Sequence, residues 1–164
     1  MKHLADVRGG VLYSVTSLAF DPKARRLFYT DNNLGWRDLM ALDLDTGQQT
    51  KLLVQARIGE LVFDASDRSL IGVRHEDGIA SLVRVPYPYV DWQVLHRFAY
   101  GVVPTDLDVS PDGERLSGSV AEVNGDEFLR VWSLAALREG RLEQRAQFGF
   151  GQANPENFVW SSDG

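Results

Sequence analysis

The chain alternates apolar and polar residues over short stretches that are bounded by turn residues. The clearest stretch is residues 105–116, TDLDVSPDGERL, in which Leu107 and Val109 alternate with polar residues before a Ser-Pro-Asp-Gly turn. Pro111 fixes φ at the first central position of that turn, and Gly113 tolerates a positive φ at its end. The stretch therefore predicts a β-strand, a tight turn and the start of a second strand.

The same strand-and-turn pattern occurs four times along the chain. The other three copies are residues 17–27 (SLAFDPKARRL), 60–70 (ELVFDASDRSL) and 157–164 (NFVWSSDG). When Asp21, Asp64, Ser110 and Ser161 are aligned, successive copies are offset by 43, 46 and 51 residues. A fixed period of this length predicts that one structural unit is repeated.

Each full unit contains four stretches with strand character. They are residues 15–20, 26–30, 38–44 and 48–54, then 60–64, 70–74, 79–85 and 92–98, then 105–109, 115–123, 126–133 and 142–148. Asn124 and Gly125 predict a two-residue type I′ hairpin turn, and residues 134–140 predict one helical turn. Solenoid repeats typically carry one to three elements, so four antiparallel strands in each repeat favour a β-propeller blade.

The repeats predict an all-β chain of about three propeller blades and the first strand of a fourth. The expected organisation is a lead-in segment at 1–14, blade-like repeats at 15–56, 57–101 and 102–153, and the start of a fourth repeat at 154–164. Propellers usually have four to eight blades, so we expect a longer parent chain. Apolar faces at the two ends are expected to leave an open arc or to cause self-association.

The turn sequences resemble those of bacterial TolB-like and WD-like β-propeller repeats. The resemblance rests on Ser110-Pro111-Asp112-Gly113 and on degenerate copies at 21–24, 64–67 and 161–164. The stretch FLRVWSL at 128–134 also resembles the third strand of such blades. The resemblance implies the propeller fold but no single activity, since such propellers occur as binding modules, as periplasmic envelope proteins and as gating domains of serine peptidases.

Composition and charge narrow the classes of function. The 164 residues are 44% hydrophobic and 24% charged, which is typical of a soluble globular protein, and no apolar run is long enough for a membrane span. The net charge of -6, with 17 basic residues scattered among 23 acidic ones, argues against nucleic-acid binding.

The absence of cysteine excludes disulfides, thiolate metal sites and cysteine nucleophiles, and is compatible with the cytosol or a periplasm. The first residues lack the apolar core of a signal peptide.

Catalytic constellations do not emerge from the sequence. The three histidines are far apart, and His75, beside Glu76 and Asp77, is expected in a solvated turn. Ser117 and Ser119 lack the G-x-S-x-G frame of a hydrolase nucleophile. The acidic turns lack the sequence frame of a calcium site. The glycine-containing stretch 149–151 lacks the frame of a phosphate site and is expected to connect blades. We therefore predict no cofactor and no metal site, and favour a non-enzymatic chain.

Aromatic residues in predicted connections are the candidate binding residues. Trp36, Tyr87 and Tyr89 lie in or beside connections, where large aromatic side chains can anchor a partner. Trp92 is instead expected to pack over a blade edge. The favoured hypothesis is a module that binds a protein or peptide through loops at the channel mouth. The alternatives are the propeller portion of a larger serine hydrolase whose catalytic domain lies outside this chain and, more remotely, a small-molecule or sugar-acting enzyme that uses channel carboxylates.

Overall fold

A computed structural model describes residue 3, residues 17–33 and residues 36–163. Twelve strands form three four-stranded antiparallel sheets, which confirms the predicted all-β, blade-like architecture. The first sheet contains β1 (Leu18–Asp21), β2 (Arg26–Asn33), β3 (Trp36–Asp43) and β4 (Gln49–Leu53). The second sheet contains β5 (Ile58–Asp64), β6 (Ser69–Glu76), β7 (Ile79–Val85) and β8 (Gln93–Arg97). The third sheet contains β9 (Val103–Val109), β10 (Arg115–Ala121), β11 (Glu127–Ser133) and β12 (Gln144–Gly151), with helix α1 (Leu134–Arg138) before its last strand.

Within each sheet the strands pair in sequence order, and neighbouring sheets meet through their first strands. Strand β5 packs against β1 on one side and against β9 on the other. This is the arrangement of successive blades around a propeller axis. The predicted lead-in segment and the first residues of the first predicted strand lie outside the described residues, apart from His3.

Two apolar clusters hold the three sheets together. Adjacent side chains of a strand point to opposite faces, so Leu70 packs toward the first sheet whereas Ile71 packs toward the third. The cluster between the first and second sheets includes Phe28, Leu39, Ile58 and Tyr89. The cluster between the second and third sheets includes Leu82, Leu116, Trp132 and Leu137. Burying each such side chain contributes about 1.5–3 kcal/mol, so the interfaces between sheets are the core of the molecule.

Hydrogen bonds at or beside equivalent positions also join each repeat to the next. The Oγ of Ser17 accepts from the backbone N–H of Leu61 at 2.5 Å. One repeat further, Oε2 of Glu60 accepts from the N–H of Asp106 at 2.9 Å, and Oδ2 of Asp106 accepts from the N–H of Asn157 at 3.4 Å. Each repeat therefore provides an acceptor for the backbone of the next.

The fourth repeat occupies the expected position without forming a strand. The N–H of Trp160 donates to Oδ2 of Asp108 at 3.2 Å, and its indole Nε1 donates to the Asp108 carbonyl at 3.4 Å. These contacts place the segment beside β9. A strand needs a ladder with a neighbour, and no described strand pairs with this segment.

Two local predictions need correction. Of the pair Asn124 and Gly125, only Gly125 has a positive φ (+86°), so the predicted type I′ turn is wrong. The Gly125 N–H instead donates to the Glu122 carbonyl at 2.9 Å, while the Asn124 side chain accepts from the Asp126 N–H at 3.1 Å. Residues 149–151 belong to β12 rather than to a connection, because the edge strand continues its pairing with β11 to Gly151. The predicted helical turn is confirmed as α1.

Because neighbouring strands are antiparallel, successive connections lie alternately at the two opposite ends of the strands. We refer to these two sides of the sheets as edges. We call the first the turn edge; it carries residues 21–26, 43–49, 64–69, 85–93, 109–115 and 133–144. The opposite edge, the hairpin edge, carries residues 53–58, 76–79, 97–103 and 121–127, together with the end of β2 and the start of β3. No helix among the described residues is long and apolar enough to cross a lipid bilayer.

Candidate binding site on the hairpin edge

A cleft of about 330 Å³ opens at the hairpin edge, between the first and second sheets. Its lining comes from the start of β3, from the link between β4 and β5, and from the β6–β7 hairpin. The lining residues are Trp36, Arg37, Arg57, His75, Glu76, Asp77 and Gly78. The cleft thus combines one large aromatic ring with several charged side chains from two sheets.

The backbone of Arg57 fixes the two walls of the cleft relative to each other. Its N–H donates to the Arg37 carbonyl in the first sheet at 3.1 Å, and its carbonyl accepts from the His75 N–H in the second sheet at 3.2 Å. Arg57 has φ +55°, a left-handed conformation that costs a non-glycine residue about 1–2 kcal/mol. The two hydrogen bonds across the sheets hold that conformation in place.

The Arg57 side chain rests on the indole ring of Trp36. Its guanidinium carbon lies 3.7 Å from the ring centroid, and its Nη1 lies 3.6 Å from Oε1 of Glu76. A guanidinium over an indole face is a favourable cation–π contact. Trp36 nevertheless remains 38% exposed, so its ring is both fixed in orientation and accessible.

Arg37 lies against a bare stretch of β5 backbone. A Cβ added to Gly59 would be 2.2 Å from Nη1 of Arg37, so a side chain at this position would require the guanidinium to move. No described carboxylate lies within ion-pair distance of Arg37. The Arg37 guanidinium therefore retains its hydrogen-bond donors for another group.

The carboxylate of Glu76 is already neutralised. Arg74 binds it with both terminal nitrogens, at 2.6 and 3.2 Å, and these hydrogen bonds hold the pKa of Glu76 below its usual value. His75 is exposed at its surface, but neighbouring protein atoms exclude part of the water around its ring. This partial desolvation, together with the charge of Arg37, lowers the pKa of His75, against an opposing effect of Glu60. His75 is therefore neutral at pH 7, and Arg37 is the cation in the cleft that lacks a carboxylate partner.

The structure does not bring the three predicted binding residues together. Trp36 lies in the cleft at the hairpin edge, whereas Tyr87 lies at the turn edge, 57% exposed, with the Arg68 guanidinium 4.9 Å from its ring centroid. The prediction that Tyr89 presents a surface anchor is wrong. Tyr89 is 1% exposed and its ring packs edge-on against Phe28, with the centroids 4.8 Å apart, so it fills the space between the first two sheets.

Other sequence predictions fare differently. Trp92 packs against the cluster between the first two sheets, as predicted, with the Arg74 guanidinium 4.4 Å from its ring centroid. His75 is exposed, as expected, but it is not a turn residue, because β6 continues to Glu76 and the hairpin turns only at 77–78. Among the described residues, no group of three His, Cys, Asp or Glu side chains is placed to hold a metal ion.

Sequence reasoning missed Arg37, Arg57 and Gly59. The available signal was that both arginines adjoin predicted connections and that Arg37 follows Trp36 directly. Nothing local to the sequence shows that Arg57, twenty-one positions after Trp36, returns to stack on it, because that contact depends on how two sheets pack.

Comparisons with known proteins agree with this architecture. No protein-family model matches the chain, and a search of curated proteins finds no relative. Among solved structures, the chain is similar to a putative TolB from Agrobacterium tumefaciens (TM-score 0.66, 14% identity, 87% of this chain and 53% of that one). It is also similar to a chain of a nidogen–laminin complex (TM-score 0.62, 18% identity, 83% and 49%). A third similar structure is an acylaminoacyl peptidase from Pyrococcus horikoshii (TM-score 0.59, 10% identity, 84% and 26%).

These similarities concern the fold. The chain spans between about a quarter and about half of the length of the three structures. The three four-stranded antiparallel sheets of this chain meet through their first strands, as successive propeller blades do. The described residues therefore form part of a β-propeller, with the fold of TolB and other propeller proteins.

Proposed function

We propose that this chain is a non-enzymatic interaction module of a β-propeller protein, and that it binds a protein or peptide in the cleft at the hairpin edge. The observation that carries this proposal is Trp36, which is 38% exposed while Arg57 fixes its ring at the mouth of a cleft between two sheets. Tryptophan and arginine are the residues most enriched among those that dominate binding energy at protein interfaces.

The size and rigidity of the cleft favour a side chain of a partner as the occupant. A volume of about 330 Å³ is at the lower end of ligand-binding cavities. The hydrogen bonds of Arg57 to both sheets hold the two walls of the cleft in place in the free protein. This pre-organisation lowers the entropic cost of binding. The nidogen–laminin complex supports protein binding as a role that this fold can serve.

Selection from a phage-displayed library of random peptides tests the proposal. We expect enrichment of binding peptides, and a loss of at least about tenfold in affinity for the Trp36→Ala variant. Tyr87→Ala is the matched control, because it removes an exposed aromatic ring from the opposite edge, and it should change affinity by less than about twofold. Absence of enrichment above an unrelated protein, or enrichment that Trp36→Ala leaves unchanged, would contradict the proposal.

A second candidate is the propeller portion of a larger serine hydrolase. The similarity to an acylaminoacyl peptidase supports it, at 10% identity over 84% of this chain. The sequence of the gene around this segment decides between the two candidates. An α/β-hydrolase pattern with a nucleophile elbow downstream would support the hydrolase, and a chain that ends soon after the last blade would remove it.

A further inference from the structure

We propose that the cleft recognises a carboxylate of an acidic peptide, with Arg37 as the residue that binds the carboxylate and Trp36 as the contact for the neighbouring side chain. This inference rests on the proposed function only in taking a peptide as the partner. The carboxylate has two possible sources, an aspartate or glutamate side chain and a free C-terminus, and both present the same pair of oxygens.

The arginines in and beside the cleft differ in their partners. Arg74 is committed to Glu76 through two hydrogen bonds, and Arg57 is held between the Trp36 ring and Glu76. Arg37 alone has no described carboxylate within ion-pair distance. A guanidinium presents parallel N–H donors that match the two oxygens of a carboxylate, so Arg37 is the group that remains to bind one.

The guanidinium of Arg37 lies directly against Gly59. The Nη1 atom occupies the space that a side chain at position 59 would take, at 2.2 Å from the place of a Cβ. Gly59 has no positive φ, so its backbone conformation does not require glycine. A side chain at position 59 would therefore force the Arg37 guanidinium to move from its place in the cleft.

The charges around the cleft favour a ligand that brings a single negative charge to Arg37. Asp77 lines the same cleft as Arg37, and the chain as a whole carries a net charge of -6. A polyphosphate or nucleic acid would bring several negative charges close to this carboxylate and to an acidic surface, which is unfavourable. A single carboxylate needs only the one unpaired guanidinium, and the exposed edge of Trp36 beside it favours an apolar or aromatic neighbour on the peptide.

Titration of the protein with three short peptides, followed by NMR of the arginine Nε–Hε groups, tests this inference. The first peptide carries an internal Phe-Asp and is amidated at its C-terminus, the second is uncharged in its side chains and ends in a phenylalanine with a free carboxylate, and the third is the amidated Phe-Asn version of the first. We expect the Arg37 signal to shift with a carboxylate peptide, and that peptide to bind at least about tenfold more tightly than the Phe-Asn peptide. Binding by the first or by the second peptide alone identifies the source of the carboxylate.

Variants separate the role of Arg37 from the general charge of the surface. Arg37→Met should weaken binding of the carboxylate peptide by about tenfold, and Arg37→Lys by less, because lysine keeps the charge without the paired donors. Gly59→Ala keeps every charge but displaces the guanidinium, and should also weaken binding. Arg141→Met is the matched control, since it removes one exposed arginine at the turn edge, and it should have no effect.

The outcomes distinguish this inference from the proposed function. If the Phe-Asp and Phe-Asn peptides bind equally and Trp36→Ala abolishes both, peptide binding stands and the assignment of a carboxylate to Arg37 is overturned. If no peptide shifts the Arg37 signal, the assignment is also overturned, and the phage selection then decides the proposed function independently. A shift of Arg37 that Arg37→Met removes and Arg141→Met preserves supports the assignment.

Discussion

The two edges of the sheets use arginine in opposite ways. At the turn edge, Arg138 of the third sheet hydrogen-bonds the buried carboxylate of Asp64 in the second sheet, and Arg68 of the second sheet lies 3.5 Å from the buried carboxylate of Asp21 in the first. At the hairpin edge, Arg37 faces an open cleft without such a carboxylate. One edge therefore uses its arginines to join sheets, and the other leaves one available for a partner.

The difference arises from the residue that ends the first strand of each sheet. Asp21 and Asp64 each cap their own turn with Oδ1, which accepts from the N–H of Lys23 at 2.9 Å and of Ser66 at 3.0 Å. The second oxygen of each then faces the arginine of the next sheet. At the hairpin-edge end of β3 the buried carboxylate is Asp38, which pairs at 2.6 Å with Lys51 of its own sheet instead of with an arginine of the next sheet.

Asp21 and Asp64 each cap a turn and contact the arginine of the next sheet, and the third sheet separates these two roles. Ser110 replaces the aspartate, and its hydroxyl donates to Oδ1 of Asp112 within the same turn at 2.5 Å. That hydrogen bond is the main reason that the pKa of Asp112 is lowered to about 2. The turn is stabilised without a buried carboxylate that reaches toward a following sheet.

The largest expected effect is the loss of the buried carboxylate at the turn edge. Asp64 is 0% exposed and serves both the turn and Arg138, so Asp64→Ala should lower the free energy of unfolding by about 3–5 kcal/mol. Urea denaturation measures this, and Asp64→Asn, which keeps the turn cap, should cost less. A loss below about 1 kcal/mol for Asp64→Ala would contradict a structural role for this edge.

The two arginines of the turn edge should differ from each other. Arg138 also lies 3.0 Å from Ser66 Oγ and 3.4 Å from Asp67 Oδ2, whereas Arg68 makes one long ion pair, to Asp21 at 3.5 Å, beside its contact with the Tyr87 ring. We expect Arg138→Met to cost about 2–3 kcal/mol and Arg68→Met about 1 kcal/mol or less, since both side chains are partly exposed. Equal losses in urea denaturation would show that the interfaces between sheets are equivalent.

At the hairpin edge, His75 predicts a dependence of stability on pH. Its pKa is lowered from 6.5 in the folded chain, mainly by partial desolvation of the ring, so below pH 6.5 the unfolded chain binds more protons than the folded one. Stability should therefore fall as the pH falls from 7 toward 5. His75→Gln should make the curve flatter in this window, measured by urea denaturation at several pH values. An unchanged slope would mean that His75 is as solvated in the folded chain as in the unfolded one.

The smallest expected effect concerns Tyr89. Its hydroxyl is buried and has no hydrogen-bond partner among the described residues, so Tyr89→Phe should leave stability unchanged or raise it by up to about 1 kcal/mol. Tyr89→Ala, by contrast, removes the ring that packs on Phe28 and should be strongly destabilising. Thermal unfolding of both variants tests this. A large loss for Tyr89→Phe would reveal a hydrogen bond that the hydroxyl makes.

The sequence was informative where structure depends on neighbouring residues. Alternation and turn chemistry are local, so the repeat at Asp21, Asp64 and Ser110 predicted the strands, the turns and the propeller-type sheets. The ring of Tyr89 was misplaced because a proline-containing connection is typical of exposed chain, whereas here it folds back into the core. The contact between Arg57 and Trp36 was out of reach, since it forms only when two sheets pack.

Self-association stays a prediction. Leu18 and Phe20 are 55% and 43% exposed on the first strand of the first sheet, and Phe148 and Phe150 are 55% and 45% exposed on the last strand of the third. Exposed apolar side chains at both ends favour contacts with further apolar surface. Light scattering during size-exclusion chromatography gives the mass of the chain in solution, and a monomer at all concentrations would contradict this prediction.

The most direct test of the contrast between the two edges is one paired measurement on Arg37→Met and Arg138→Met. For each variant, the free energy of unfolding and the affinity for the Phe-Asp peptide are determined under the same conditions. We predict a crossed result, in which Arg138→Met loses stability and keeps peptide affinity, whereas Arg37→Met keeps stability and loses about tenfold in affinity. Two variants that lose the same property would show that the edges do not divide stability and binding between them.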